Sequence, residues 1–164
     1  MMYPRYKVAL AAVTLVACVL LSGCGNDYGV DQAGHNVEAK SIDKHWLVIN
    51  YWADWCGPCR SETPQLNALA SQLPANTRML GVNFDGLQGD DLSMAAAALG
   101  IQFTVLASDP AALFDLPITE GLPMTFIVDS KGRLRERLKG EQTAAGITQK
   151  LAVLQSQAGN DEVQ

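Results

Sequence analysis

The chain has little positive charge, little histidine and no long apolar run. Its 12 Lys and Arg stand against 17 Asp and Glu, a net charge of −5. Binding to nucleic acid rests on a surplus of cations that neutralise phosphates, so nucleic acid is not an expected partner. A structural zinc site needs four ligands. The sequence holds one Cys-x-x-Cys and no second Cys pair, and His35 and His45 are not at ligand spacing, so no metal is expected. The longest apolar run, residues 8–21 broken only by Thr14, has 14 residues. As a helix it reaches about 21 Å against a hydrocarbon core of roughly 30 Å, too short to span comfortably. Internal repeats and low-complexity segments are absent. Charged residues make up only 18%, but the 48% hydrophobic content excludes a wholly disordered chain. With 164 residues there is room for one ordinary domain and a tail.

Arg5 and Lys7 precede the apolar run, the pattern of a secretory signal rather than of a core helix. Leu21-Ser22-Gly23-Cys24 at its end resembles the bacterial lipobox. That resemblance implies cleavage before Cys24 and acylation of its sulfur and amine. The alternative is ordinary signal cleavage that leaves Cys24 as a thiol. Each buried CH₂ contributes about 0.8 kcal/mol and stable anchoring takes two signals, so three acyl chains would hold the protein firmly. Gly25, rather than Asp, after the cysteine favours the outer over the inner membrane, facing the periplasm. Residues 25–40 show no apolar period and read as a flexible tether reaching about 22 Å. The expected organisation is a signal peptide at 1–23, a lipidated Cys24 with its tether to 40, a domain at 41–157 and a frayed tail at 158–164. Removing residues 1–23 leaves 141 residues (164 less 23) and moves the charge from −5 to −7 by loss of Arg5 and Lys7.

Within the domain, residues 46–52 form a continuous apolar run that reads as a buried central strand. A helix starts near Cys56, with Pro58 in its first turn, and keeps its period to Pro74, with Pro64 inside it as a kink. Strands follow at 79–84 and 103–106, separated by a helix at 90–100. A short helix is expected at 110–116, a strand at 124–128, a turn at 129–132, a strand at 134–138 and a last helix at 143–155. This order predicts an α/β sandwich around one mixed sheet, its first half parallel and its hairpin antiparallel.

Cys56-Gly57-Pro58-Cys59 sits where the buried strand hands over to the helix. Two cysteines at this spacing can close a small reversible disulfide. The helix N-terminus stabilises a thiolate on Cys56, and only the thiolate attacks a disulfide. Cys56 is therefore the expected nucleophile, and Cys59, one turn in, the resolving thiol.

Residues 52–60, Trp-Ala-Asp-Trp-Cys-Gly-Pro-Cys-Arg, resemble the active-site segment of the thioredoxin superfamily, and residues 121–126, Gly-Leu-Pro-Met-Thr-Phe, resemble its cis-proline segment. The likeness covers residues 40–157 and implies a thioredoxin-like three-layer α/β/α sandwich with a central mixed sheet. It also implies a cis Leu122–Pro123 bond beside Cys56 and a substrate groove touched by Trp55, Gly57, Pro58, Leu122 and Pro123. The additional α/β stretch at 88–118, Asn50 in place of a buried Asp, and Glu62 three residues after Cys59 resemble the TlpA/ResA (DsbE-like) group of membrane-tethered proteins. Asn50 cannot titrate. Glu62 is either a proton acceptor with a raised pKa or an exposed charge favourable to the helix dipole. Trp52 is read as core. Arg60 and Glu120 are read as surface charges. Met124 and Leu122 depart from the group's usual residues at positions taken to touch the groove.

The resemblance implies thiol-disulfide exchange, with the Cys56–Cys59 disulfide as the only redox group and no separate cofactor. The Gly-Pro dipeptide resembles that of reductants. A thioredoxin-like potential near −270 mV and a strong oxidant near −120 mV differ by about 150 mV, roughly 7 kcal/mol. The expectation is therefore an extracytoplasmic protein disulfide reductase, monomeric, supplied with electrons by a membrane protein. Its expected substrates are oxidised proteins, with apocytochrome c a candidate. An oxidase or isomerase using the same site and a non-catalytic binding module remain open. A peroxiredoxin-like peroxidase is disfavoured, since no Thr-x-x-Cys signature occurs.

Overall fold

The computed structural model describes residues 28–161. The expected signal peptide at 1–23, with Cys18, the expected lipid-bearing Cys24 and the last three residues of the tail lie outside the described residues. Five strands form one sheet: β1 (Trp46–Trp52), β2 (Thr77–Asn83), β3 (Thr104–Leu106), β4 (Met124–Val128) and β5 (Leu134–Lys139), in the order β3-β2-β1-β4-β5. β1 runs parallel to β2, and β2 to β3, whereas β4 is antiparallel to both β1 and β5. The helices are α1 (Gly57–Gln72), α2 (Gly89–Leu99) and α3 (Ala144–Asp161), with 3-10 turns at Ala39–Ser41 and Ala111–Leu113. This is the thioredoxin-like α/β fold that the sequence predicts, with α2 and β3 as the additional α/β unit.

All seven residues of β1 are buried. Side chains alternate between the two faces of a strand, so burial of the whole run means that both faces are covered. Trp46 and Val48 join Leu66 and Leu69 of α1 and Ile147 and Leu151 of α3. Trp52, on the same face, joins Leu92, Ala95, Ala96 and Leu99 of α2. The three helices thus share one face. On the other, Leu47, Ile49 and Tyr51 pack with Tyr28, Ile42, Phe114, Met124 and Phe126. That face is covered by the N-terminal segment and the stretch between β3 and β4.

The expected flexible tether is corrected for residues 28–40. Tyr28 is only 2% exposed and its hydroxyl donates to Asp43 Oδ1 at 2.7 Å. Val30 bridges Asn36, and Asp31 bridges Leu106 of β3. The Gln32 side chain accepts from Val105 N at 2.7 Å and donates to Phe103 O at 3.2 Å. An edge strand exposes unpaired backbone groups that invite pairing with another chain. Here the Gly- and Asn-rich segment covers that edge, through backbone pairing that has no hydrophobic period to betray it.

Other boundaries shift modestly. β2 begins two residues earlier than expected, because Thr77 and Arg78 extend the ladder with Trp46 and Leu47. The predicted short helix at 110–116 is a single 3-10 turn. The last helix continues to Asp161, correcting the fray expected from 158. The predicted turn at 129–132 closes the β4–β5 hairpin around the buried Asp129 carboxylate. Burial would raise its pKa, but the N–H groups of Arg133 and Lys131 and the guanidinium groups of Arg133 and Arg135 hold it below the ordinary value of 3.8. Its contribution to stability is therefore present above the unfolded value and lost as pH falls through the lowered one.

Gly81 lies in β2, packed between the end of β1 and the start of β3. A Cβ there would come within 3.1 Å of Phe103 Cε2, Trp52 Nε1 and Val105 Cγ2. Gly81→Ala is expected to cost about 1–3 kcal/mol by overpacking. Urea unfolding checks this, as a lower midpoint with an unchanged slope.

Candidate active site

β1 ends at Trp52, and Ala53–Trp55 turn the chain into α1, with Cys56 N donating to Ala53 O at 3.2 Å. Cys56 is the N-cap, in extended conformation, and its Sγ accepts from Cys59 N at 3.1 Å. The pair is disulfide-bonded with Cα atoms 5.3 Å apart. The first N–H groups of a helix lack intrahelical acceptors and carry the positive end of its dipole. A reduced Cys56 would face both.

Cys59, Glu62, Thr63, Leu66 and Leu69 are the buried residues of α1. Their spacing of three and four is one helical stripe, so the packing that buries Leu66 and Leu69 carries Glu62 inward as well. Glu62 is 2% exposed. Its Oε1 accepts from Asn50 Nδ2 at 2.8 Å and its Oε2 from Gln142 N at 2.9 Å. Burial pushes its pKa up from 4.5, outweighing the two donors, and the like charge of Glu141 adds to the rise. The alternative of an exposed helix-end charge is thereby overturned. Asn50 also donates to Thr125 Oγ1 at 3.0 Å, across the β1–β4 pair in which these two residues are opposed.

The Leu122–Pro123 peptide bond is cis. Pro123 is buried, and half-buried Leu122 packs against the cluster holding Trp52, Cys56 and Cys59. Gly140 N donates to Pro123 O at 2.9 Å. Gly57 and Pro58 are exposed. Trp55 is 64% exposed, donates to Asp85 Oδ2 at 2.7 Å and meets Phe84 edge-on. Trp52 is core.

At the rim one expectation is corrected and another is extended. Met124 is fully buried with Tyr51 and Phe126 on the face away from the helices, not in the groove. Arg60 is more than a surface charge: it donates to Ala98 O at 2.8 Å and Asp54 O at 3.2 Å, tying the end of α2 to the loop before Cys56. Glu120 is exposed, with Arg137 and Lys139 each 3.5 Å away. Residues that sequence reasoning passed over are Thr125, Gln142, Phe84 and Asp85. Thr125 carried a signal, a polar residue inside a buried apolar strand. Gln142 reaches Glu62 through its backbone N–H and carried none. Together these groups can stabilise a thiolate at Cys56 and accept a proton at Glu62, one helical turn after Cys59.

The AhpC/TSA family matches residues 24–137. Among curated relatives, the thiol:disulfide interchange protein HelX of Rhodobacter capsulatus is 35% identical over 105 residues, covering 63% of this chain and 57% of its own length. The thiol-disulfide oxidoreductase ResA of Bacillus thuringiensis is 27% identical, over 69% of this chain and 65% of its own. The chain thus matches less than two thirds of the length of these relatives. In structure it resembles a DsbF homologue from Corynebacterium diphtheriae, with a TM-score of 0.64 at 21% identity, covering 76% of this chain and 82% of the other. StoA from Bacillus subtilis has a TM-score of 0.59 at 18% identity, covering 73% and 92%. With fold, paired cysteines and family match in agreement, the chain belongs to the AhpC/TSA family of thioredoxin-like proteins.

Proposed function

We propose that the protein is a thiol-disulfide oxidoreductase that works as an extracytoplasmic protein disulfide reductase. The observation that carries this reading is the disulfide capping α1 with the buried Glu62 carboxylate one turn below. In the reduced protein the Cys56 thiolate attacks a substrate disulfide and one substrate thiolate leaves, giving a mixed disulfide. Cys59 then loses its proton to Glu62 and attacks Cys56 Sγ, releasing the second substrate thiolate. Two electrons pass to the substrate and the Cys56–Cys59 disulfide is left, so each cycle consumes one external dithiol. A membrane protein that carries reducing equivalents outward fits that need, and no separate cofactor is required. Trp55, Gly57, Pro58, Leu122 and Pro123 form the docking rim. Oxidised proteins are the substrate class, with apocytochrome c a candidate. The direction rests on the Gly-Pro dipeptide, and a measured potential near −120 mV rather than about −270 mV would favour an oxidase.

The leader and Leu21-Ser22-Gly23-Cys24 support a lipid anchor at Cys24 after removal of residues 1–23, on the periplasmic side and in the outer membrane by virtue of Gly25. We take the domain to be monomeric.

Three measurements test this reading. A Cys59→Ser variant expressed in the native host should accumulate mixed disulfides through Cys56, and the wild type should reduce insulin. No trapped partner together with no insulin reduction rejects the reductase. Cys24→Ala should move the protein from the membrane to the soluble fraction, and persistence at the membrane rejects the anchor. For Glu62, a folded pKa above the unfolded 4.5 contributes stability that is present below the unfolded value and lost as pH rises through the folded one. Unfolding free energy of the oxidised wild type should therefore decline over that interval, and in Glu62→Gln this part of the slope should vanish. Identical slopes would mean that Glu62 is not held with a raised pKa.

A further inference from the structure

Both oxygens of the Glu62 carboxylate are supported by groups that lead back to the cis-proline strand. Through Oε1 the path runs by Asn50 Nδ2 to Thr125 Oγ1, two residues after Pro123. Through Oε2 it runs to the amide of Gln142, in the turn between β5 and α3. The Gln142 side chain holds that turn from within: its Nε2 donates to Gly140 O at 2.8 Å and to Lys139 O at 3.3 Å. Gly140 N in turn donates to the Pro123 carbonyl at 2.9 Å. The turn therefore has two outputs, an N–H on the buried carboxylate and an N–H on the carbonyl of the docking proline.

We propose that Gln142 is a positioning residue for thiol-disulfide exchange, whose side chain fixes the backbone donor on Glu62 Oε2 and, through Gly140, the carbonyl of Pro123. The inference rests on the exchange reading, in which Glu62 takes the Cys59 proton. A substrate strand docked along Pro123 would bear on the same turn that donates to Glu62, and coupling between two such sites is reciprocal. The charged and polar groups around Glu62 are few. Asn50 from β1 and Thr125 beyond it on β4 are uncharged, Cys59 lies on its own helix, and Glu141 of the turn adds a like charge. The Gln142 amide donor favours the carboxylate, so loosening the turn weakens a hydrogen bond that holds the pKa down.

The experiment is a titration of the Glu62 carboxyl by ¹³C NMR in the oxidised full-length protein, assigned by its absence in Glu62→Gln. Gln142→Ala keeps the backbone N–H but removes the ties to Gly140 O and Lys139 O. It should move the Glu62 midpoint upward by about one pH unit, a ten-fold change in proton affinity. Gln142→Glu, which loses the amide donors and adds a charge, should move it upward at least as far. Gln149→Ala, on the exposed side of α3, should leave it in place, so that a general loosening of the fold is told apart. Coincident titrations for wild type and Gln142→Ala would overturn the proposal, as would an equal shift in Gln149→Ala. The exchange reading fails independently, through an empty Cys59→Ser trap together with no insulin reduction by the wild type.

Discussion

A carboxylate buried between an amide side chain and a backbone N–H joins the parts of this site. Glu62 meets Asn50 of the central strand on one side and the β5–α3 turn on the other. Its burial follows from α1 packing: the stripe that seats Leu66 and Leu69 in the core also carries Cys59 and Glu62. A carboxylate taken out of water is held by what donates to it, and its pKa reports the balance. In this case burial prevails over two donors, leaving a group with a raised proton affinity one helical turn after Cys59. Asn50, unable to ionise, supplies orientation without competing for the proton.

The helical face of the sheet has a division of labour. α1 and α3 pack together over the centre, while α2 closes over Trp52 and the two cysteines. α1 grips the additional α2–β3 unit at two points on one side. Arg60 holds Ala98 O, and Asn67 donates to Gly100 O while accepting from Gln102 N. The same Arg60 reaches Asp54 O in the redox loop. The added unit thus both extends the sheet and braces the loop that presents Cys56.

Legibility in the sequence followed the length scale of the forces. β1, α1, β4 and the hairpin turn were readable because burial patterns and the Pro58 and Gly132 signals are local. The two cysteines and the cis-proline segment were readable from their motifs. Glu62 could be placed only as one of two alternatives, because a helical wheel gives the face and not what packs on it. Residues 28–40 read as a tether from sequence alone, since edge pairing through backbone groups and the Gln32 side chain leaves no periodic trace. Met124 was placed in the groove by neighbourhood to Pro123, whereas strand alternation turns it to the opposite face.

The sequence by itself determined the redox pair, its place at a helix N-terminus, the strand order along the chain and the acidic balance. The acidic balance is a sum over residues, and the others depend on residues within a few positions of one another. Only the tertiary structure decided that Glu62 is buried, that Thr125 and Gln142 complete its surroundings, and that Arg60 spans two elements. The contacts that close these surroundings join residues far apart in the chain, 80 positions for Glu62 and Gln142 and 38 for Arg60 and Ala98. Such a contact comes into being when the sheet closes against its helices.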